Sequence, residues 1–172
     1  LILIISKILD LENKKIFFKK ELKNLPYSSD YLRIKVRRQR PNLFKDSFGS
    51  LYSQKAEKWR SKLIVSFKDE EAIDAGGVKR EWLTILSKDI FDPSYMLFTL
   101  AKNGTTYTIN SDSGRFNPEH LQHFEFIGKI MAKAIFDGMM LDCYFTRNIY
   151  KLITNTPISY HDMEDYALVS IR

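Results

Sequence analysis

One stretch, residues 117–138, constrains the fold of this chain more than any other. Asn117 can accept hydrogen bonds from the free amides of a first helical turn, and Pro118 fits the first helical position, where no N–H donor is needed. Gly138 allows the left-handed conformation that commonly ends a helix. Between these signals lie roughly 20 residues, which as a helix would extend roughly 30 Å, about the width of a small domain. The pattern predicts one long helix.

This predicted helix is apolar on most of its circumference. Apolar residues recur at three- and four-residue steps, and further large side chains widen the stripe. The stripe comprises Leu121, Phe124, Ile127, Met131, Ala134 and Ile135, widened by Phe126, Ile130 and Phe136. Only Glu125, Lys129 and Lys133 are then expected to face water. Gly128 and the alanines are expected to admit a closely packed neighbour. We interpret the segment as a central core helix and favour that over a cofactor-binding segment.

Composition places the chain among packed globular proteins. It has 172 residues, 44% hydrophobic and 13% aromatic, which is enough for one substantial core. The net charge of +6 permits a basic face without by itself indicating nucleic acid. A single cysteine excludes an internal disulfide framework and fits a reducing compartment, so we expect a cytoplasmic protein, with the nucleus as a further location. The apolar opening residues are too few for a membrane span, and we interpret the chain as a fragment.

Local patterns predict an α+β fold with a mostly helical body around the central helix. Residues 1–25 are predicted to be helical with a lysine-rich side, which is more often solvated than bound to lipid or nucleic acid. Short strands are predicted at 31–37, 62–67, 95–99 and 106–110. Further predicted features are a helix beginning at Pro41-Asn42, a tight strand-to-helix turn at Gly76-Gly77 followed by a helix that buries Trp82, a hairpin turn at Asn103-Gly104, a buried Met139-Met140-Leu141 and a short helix from Thr146.

The densest positive patch lies on the first predicted strand. Strict alternation places three cations on one face, and two arginines extend it; the patch comprises Arg33, Lys35, Arg37, Arg38 and Arg40. No aromatic residues interleave with these cations as stacking platforms for bases, and no glycine-rich phosphate loop accompanies them. Nucleic acid is therefore disfavoured as a partner. The patch nevertheless defines the alternative function, a basic scaffold or binding module that contacts nucleic acid or acidic protein.

The sequence offers no assembled catalytic, cofactor or metal site. Cys143 is the only thiol, and its neighbours Asp142 and Tyr144 would not lower its pKa as a reactive thiolate requires, so we predict a packed structural side chain. The histidines at 120 and 123 lie one helical turn apart but lack a third ligand. His161-Asp162 lacks a nucleophile that would complete a catalytic group. We therefore predict no catalytic residue, no cofactor and no metal.

The order and spacing of several short motifs resemble the amino-terminal lobe of a HECT-type ubiquitin ligase, from about Leu9 to about Asp165. Each motif alone is weak, and their combination is specific. The motifs are Ile34-Lys35-Val36-Arg37-Arg38, Leu43-Phe44-Lys45-Asp46-Ser47-Phe48, Ile73-Asp74-Ala75-Gly76-Gly77-Val78-Lys79-Arg80-Glu81-Trp82, Ile109-Asn110-Ser111-Asp112-Ser113-Gly114, Phe116-Asn117-Pro118-Glu119-His120-Leu121, Phe126-Ile127-Gly128-Lys129, Leu141-Asp142-Cys143-Tyr144-Phe145-Thr146-Arg147 and Pro157-Ile158-Ser159-Tyr160-His161-Asp162.

The resemblance implies a role in ubiquitin transfer. In HECT ligases ubiquitin passes from a conjugating enzyme to the ligase's own cysteine and then to a substrate lysine. The implied partners of the parent protein are thus a ubiquitin-conjugating enzyme, ubiquitin and protein substrates, with no membrane partner. Residues 1–172 would form a single partial domain, the larger, non-catalytic subdomain of the lobe. The conjugating-enzyme-binding subdomain and the catalytic lobe with its cysteine would lie beyond it, so the fragment alone is expected to be inactive.

Some members of the family also bind a second ubiquitin non-covalently through an aromatic residue just before the strand that matches Ile109-Asn110. The matching position here is Thr105. Tyr107 lies two residues along, on the same face if the strand alternates. Thr105 and Tyr107 are therefore the candidate ubiquitin contacts implied by the resemblance.

Overall fold

The computed structural model describes residues 10–70 and 75–163. Within these ranges seven α-helices and two two-stranded sheets form. The helices are α1 Leu11–Asn24, α2 Asn42–Leu51, α3 Ala56–Trp59, α4 Ala75–Ile90, α5 Ser113–Phe116, α6 His120–Phe136 and α7 Arg147–Ile153. The strands are β1 Ser28–Val36, β2 Ser61–Phe67, β3 Phe98–Leu100 and β4 Tyr107–Ile109, and 3₁₀ turns cover Pro93–Tyr95 and Tyr160–Met163. The predicted α+β class is confirmed. The helix predicted for residues 1–9 lies outside the described residues.

The first sheet pairs β1 with β2 in parallel, and α2 and α3 form the crossover between them. The register joins Leu32 to Leu63 and Val36 to Phe67. Leu32, Ile34 and Val36 are buried while the alternate basic residues are exposed, which confirms the predicted alternation of β1. A parallel pair needs a crossover because both strands must start at the same edge. The buried face of this sheet carries one side of the core.

Helices α2, α4 and α6 supply the rest of the core. Trp82 of α4 is 1% exposed, and Phe44 of α2 and Phe126 of α6 are equally buried. The rings of Phe44 and Phe126 meet edge to face at a centroid distance of 5.7 Å. Such pairs stabilise a core beyond the area that they bury. The predicted role of the long helix as a central core element is confirmed by the burial of Phe126, Ile127, Ile130 and Ala134.

Three details predicted for α6 are wrong. The helix begins at His120, because Asn117 accepts from the N–H of Glu119 and closes a turn before it. Leu121 and Ile135, which were placed on the buried stripe, are 70% and 49% exposed. Gly128 is exposed, and a Cβ built on it would meet nothing within 4 Å, so no neighbour approaches closely there. The core covers one side of the helix and leaves the opposite side to solvent.

Lys133, predicted to face water, is buried. Its Nζ donates to the carbonyl oxygen of Ser61 at 2.7 Å and to Asp137 at 2.9 Å. Burial lowers the pKa of this ammonium, and the Asp137 carboxylate opposes that shift. Asp137 also accepts from Lys79 at 3.1 Å and from the hydroxyl of Tyr27 at 3.1 Å. A charge can be buried when it is paired and hydrogen-bonded in this way. The network joins α4, α6 and the segment before β1.

The predicted hairpin is confirmed, with shorter strands. β3 and β4 pair antiparallel, with Leu100 opposite Tyr107, and Gly104 has a φ of 69° in the turn. The strand predicted at 95–99 begins only at Phe98, because Pro93–Tyr95 forms a 3₁₀ turn and Met96 follows in the left-handed conformation. Glycine at 104 meets the positive φ without steric cost.

Of the other predicted features, some are confirmed and some are wrong. The helix beginning at Pro41-Asn42 and the helix after Thr146 are confirmed. Gly76 and Gly77 do not form a strand-to-helix turn but lie inside the first turn of α4. Met140, predicted to be buried, is 96% exposed. In α1 no residue is buried. None of the described helices is both long enough and apolar enough to cross a bilayer.

Candidate functional site

The hairpin does more than pair with itself, because it also holds the segment that leads into α7. The N–H of Tyr107 donates to the carbonyl of Tyr144 at 2.8 Å, and the N–H of Thr146 donates to the carbonyl of Tyr107 at 2.9 Å. Phe145, between them, packs its ring against Phe91 and Phe98 at centroid distances of 5.5 and 5.4 Å. Thr146, which precedes the first residue of α7, is therefore fixed by β4. The position of α7 follows from the hairpin.

Thr105 and Tyr107, the candidate ubiquitin contacts, do not present one continuous face. Thr105 is exposed but lies in the turn, where its N–H donates to Asn103 Oδ1 at 3.0 Å. Tyr107 begins β4, and its half-buried ring stacks on that of Phe91 with a centroid distance of 4.0 Å. The alternation that was expected to align them requires a strand through Thr105, and the strand starts two residues later. Ubiquitin contact at these residues stays a prediction.

Cys143 sits half-buried in the segment beside β4. Burial raises the pKa of its thiol to about 12, and the carboxylate of Asp142 adds to the shift. The thiolate, which is the nucleophilic form, is therefore strongly disfavoured at neutral pH. The surroundings of this thiol oppose the activation that a covalent nucleophile needs.

The histidines do not converge on one ligand. His120 Nδ1 lies 3.0 Å from Ser113 Oγ, whereas His123 Nδ1 lies 3.1 Å from the amide nitrogen of Asn117. His123 is packed edge to face against Phe44 and Phe48, and burial lowers its pKa. Within residues 10–70 and 75–163 no three metal-ligating side chains form a group. Each histidine makes its own structural contacts, His120 with Ser113 and His123 with Asn117 and the rings of α2.

Asp162 anchors the last described turn to α7. Its carboxylate, 3% exposed, accepts from Lys151 Nζ at 2.5 Å and from the N–H and hydroxyl of Ser159, both at 2.7 Å. Arg147 lies 3.5 Å away. These donors hold the pKa of Asp162 well below its usual range. The sequence suggested pairing with its neighbour His161; the carboxylate instead fixes the direction in which the chain leaves α7.

The basic patch is largely neutralised by carboxylates from other elements. Arg37 forms a two-pronged pair with Asp46, at 2.7 and 3.0 Å. Arg38 pairs with Glu70 and Glu81, and Arg40 with Asp89 and Asp92. Arg33 and Lys35 remain on the exposed face of β1. Paired guanidinium groups are poorly available for phosphate, so a polyanion would meet a weaker field than the sequence suggests.

Two features with structural consequences have no clear sequence signal. Lys133 looks like one of three solvent-facing residues on α6, yet its partner Ser61 is 72 residues away. Asp162 lies 11 residues beyond Lys151, in a segment without clear periodicity. An i, i+4 spacing does connect Lys133 with Asp137, and that spacing is the one local clue to the buried pair.

A comparison with protein families assigns residues 84–170, just over half of the chain, to the HECT-domain (ubiquitin-transferase) family. The chain belongs to that family. It is 44% identical, over 94% of its length, to a protein named probable E3 ubiquitin-protein ligase TOM1 in Eremothecium gossypii, of which it spans 5%. It is likewise 44% identical over 92% of its length to E3 ubiquitin-protein ligase TOM1 of Saccharomyces cerevisiae, again spanning 5%. For E3 ubiquitin-protein ligase HUWE1 of Mus musculus the identity is 40% over 92% of this chain and 4% of the relative. The resemblance to HECT-type ubiquitin ligases inferred from the motifs is confirmed.

Proposed function

We propose that this chain is the larger, scaffold subdomain of the amino-terminal lobe of a HECT ubiquitin-protein ligase. The parent accepts ubiquitin as a thioester from a conjugating enzyme and transfers it to lysines of protein substrates. The conjugating-enzyme-binding subdomain and the catalytic lobe belong to parts of the parent outside this chain. Family membership and the ligase names of the relatives support this. The observation that carries the non-catalytic role is the half-buried position of the one thiol, Cys143, next to Asp142, since both burial and that carboxylate raise its pKa.

The contribution of such a scaffold is placement. Holding a conjugating enzyme that carries ubiquitin and the catalytic lobe on one body raises the effective concentration of the catalytic cysteine at the ubiquitin thioester. Orientation of this kind can lower a barrier by roughly 7–11 kcal/mol when the reacting atoms are well aligned. A placement role requires a rigid body. Here the buried ring cluster and the network at Lys133 and Asp137 join helices distant in sequence into one core.

The exit from this body supports the same proposal. Asp162 ties the turn Tyr160–Met163 to α7, and β4 ties the start of α7 to the hairpin. Any subdomain that follows Met163 would inherit a direction set by these contacts. The general partners are therefore ubiquitin and a ubiquitin-conjugating enzyme, reached through the parent protein. We place the parent in the cytoplasm, with the nucleus as a further location, on the strength of the single unpaired cysteine.

The alternative function, a basic module for nucleic acid or acidic protein, has weaker support. Three of its five cations are already paired with carboxylates. Its signature would be oligonucleotide binding that weakens steeply with salt. Flat or absent binding would count against it.

The test asks whether Cys143 takes part in forming the ubiquitin thioester. In the full-length parent, incubated with activating enzyme, conjugating enzyme and ubiquitin, we expect a ubiquitin adduct that a reducing agent removes. The same adduct should form in Cys143→Ser, because this thiol is protonated and half-buried. Non-reducing electrophoresis measures both.

The chain on its own, residues 1–172, should form no such adduct under the same conditions. A reducible adduct on the isolated chain that disappears in Cys143→Ser would contradict the scaffold role. Failure of the unsubstituted parent to form any thioester would contradict the ligase function itself. The two failures are therefore distinguishable.

A further inference from the structure

Two adjoining clefts flank the carboxy-terminal half of α1. The first, with a volume of about 440 Å³, lies among α1, α3 and α6, with Trp59 in its lining. The second, of about 640 Å³, adds Phe18 and Tyr27. Both clefts share the apolar side chains Leu22, Leu25, Ile135 and Phe136. We call the two together the α1 cleft.

The lining of the α1 cleft is apolar and open to solvent. Phe18 is 50% exposed, Leu25 45% and Ile135 49%. No residue of α1 is buried, although the helix carries several large apolar side chains. Adjacent exposed apolar residues of this size, with polar residues around them, commonly mark an interaction site. The core of the molecule leaves this surface without a partner among the described residues.

The rim of the α1 cleft is positively charged. Lys19 and Lys23 line one side and Arg60 another, and within the described part of the chain none of the three forms an ion pair. The single acid in the lining, Asp137, is neutralised by Lys79 and Lys133. Three unpaired cations therefore surround an apolar floor that contributes no unpaired negative charge.

We propose that the α1 cleft binds an amphipathic helical segment of a partner protein, with apolar residues on the face that enters the cleft and Asp or Glu along its edges. A concave apolar floor accepts anchors spaced one helical turn apart, as other helix-in-groove sites do. The unpaired cations at the rim supply the charge complementarity that selects an acidic segment and orients it. This function goes beyond the scaffold role and does not depend on it.

Two other occupants fit the charge and shape less well. An anionic membrane surface would suit apolar side chains that protrude from a convex face, whereas these line a recess. Residues 1–9 of the chain itself are apolar but contain one lysine and no acid, so they lack the complementary charge. An acidic amphipathic segment matches both the apolar floor and the positively charged rim.

The test uses a fluorescein-labelled synthetic peptide of roughly 15 residues with leucines at helical spacing and glutamates elsewhere, and a matched peptide with lysine at every glutamate position. Fluorescence anisotropy measures the binding of each to the full chain. We expect the glutamate peptide to bind and the lysine peptide not to bind. The double variant Lys19→Glu/Lys23→Glu should weaken binding roughly tenfold, because it reverses the charge of the rim.

The matched control is Lys14→Glu/Lys20→Glu, which makes the same charge change on exposed residues of the same helix outside both clefts. It should leave the affinity within roughly twofold, because neither side chain lines a cleft and salt screens exposed charges that do not contact the peptide. Ile135→Ser should weaken binding through the floor instead, with far-ultraviolet circular dichroism confirming that every variant is folded.

Equal weakening by both double variants would overturn the proposal, because binding would then report net charge alone. Binding of the lysine peptide as tight as that of the glutamate peptide, or no binding of either, would also overturn it. Sedimentation with phosphatidylserine vesicles tests the rival surface. If neither peptide binds and the chain binds vesicles, and if Lys19→Glu/Lys23→Glu abolishes that vesicle binding, the α1 cleft binds an anionic membrane and not a partner helix.

Discussion

At the scale of single residues, Trp82 shows how one side chain serves packing and polarity together. Its ring is 1% exposed, and its indole N–H donates to Ser47 Oγ at 2.9 Å. Ser47 is itself fully buried, so each polar group depends on the other. A buried donor without a partner costs about 1–3 kcal/mol. The hydrogen bond therefore joins α4 to α2 at the centre of the core.

Trp82→Ala should lower the free energy of unfolding by about 3–5 kcal/mol, because it leaves a large cavity. Urea denaturation followed by circular dichroism measures the loss. Ser47→Ala should cost about 1–3 kcal/mol, because it removes only the acceptor. A loss below about 1 kcal/mol for Trp82→Ala would mean that α4 is not docked as described.

At the scale of elements, two glycines, one within α6 and one just after it, have different roles. Gly128 is helical, exposed and has open space where a Cβ would lie. Gly138 follows the end of the helix with a φ of 65°, and the N–H of Met139 then donates to the carbonyl of Ala134 at 2.8 Å. Only Gly138 has a conformational reason to be glycine, since other residues rarely adopt a positive φ.

The same substitution should therefore act in opposite directions at the two positions. Gly128→Ala should raise the free energy of unfolding by about 0.5–1 kcal/mol, because alanine loses less conformational freedom in a helix. Gly138→Ala should lower it by about 1–2 kcal/mol, because alanine is strained at that φ. Chemical denaturation measures both. Destabilisation by Gly128→Ala would show that a neighbour does pack against that side of α6.

At the scale of the whole molecule, ion pairs connect different elements of the fold. Asp46 of α2 accepts from the side chain and the backbone N–H of Arg37, just after β1, and these bonds hold the pKa of the carboxyl well below its usual range. Its contribution to stability is present above the unfolded pKa of about 3.9 and is lost as the pH falls toward the lower folded value. The pKa of Asp162 is also lowered, so its contribution to stability is likewise lost as the pH falls.

Stability should accordingly fall below about pH 4 and be nearly flat between about pH 5 and 8 as far as these two carboxyls are concerned. Asp46→Asn should reduce stability at neutral pH by no more than about 1 kcal/mol, because its partner is half-exposed, and should flatten the acid limb. Urea midpoints from pH 2 to 8 measure this. Asp112→Asn, which removes an exposed carboxylate outside any described ion pair, should keep the full acid limb.

Much of the fold was predictable because the relevant signals are local. Alternation in β1 reports which side chains face the core, since successive residues point to opposite faces. Asn103-Gly104 predicts the hairpin, because that pair suits a tight turn. The turn nevertheless extends further than expected, since Asn103 Oδ1 also accepts from the N–H of Thr106 at 3.0 Å. The candidate contact Thr105 is thus separated from the strand that carries Tyr107.

The candidate site was only partly predictable, because its electrostatics are set by distant residues. From its neighbour Asp142 the sequence predicted that the thiol of Cys143 would not be activated; in the structure burial is the larger cause of its raised pKa, and Asp142 is the smaller one. Arg38 and Arg40 looked like part of an open basic patch until partners 32 to 52 residues away were placed beside them. No local pattern carries that information.

The sequence by itself determined the class of fold, the family and many of the core side chains, such as those of β1, because periodicity, turn residues and motif order are properties of short segments. Only the tertiary structure decided that Lys133 is buried, that the rim cations Lys19, Lys23 and Arg60 have no ion-pair partner in the part of the chain that the structure describes, and that Asp162 fixes the last described turn. The reason is that burial and charge pairing depend on which distant groups share a small volume, and a buried charge is tolerated only where such groups meet.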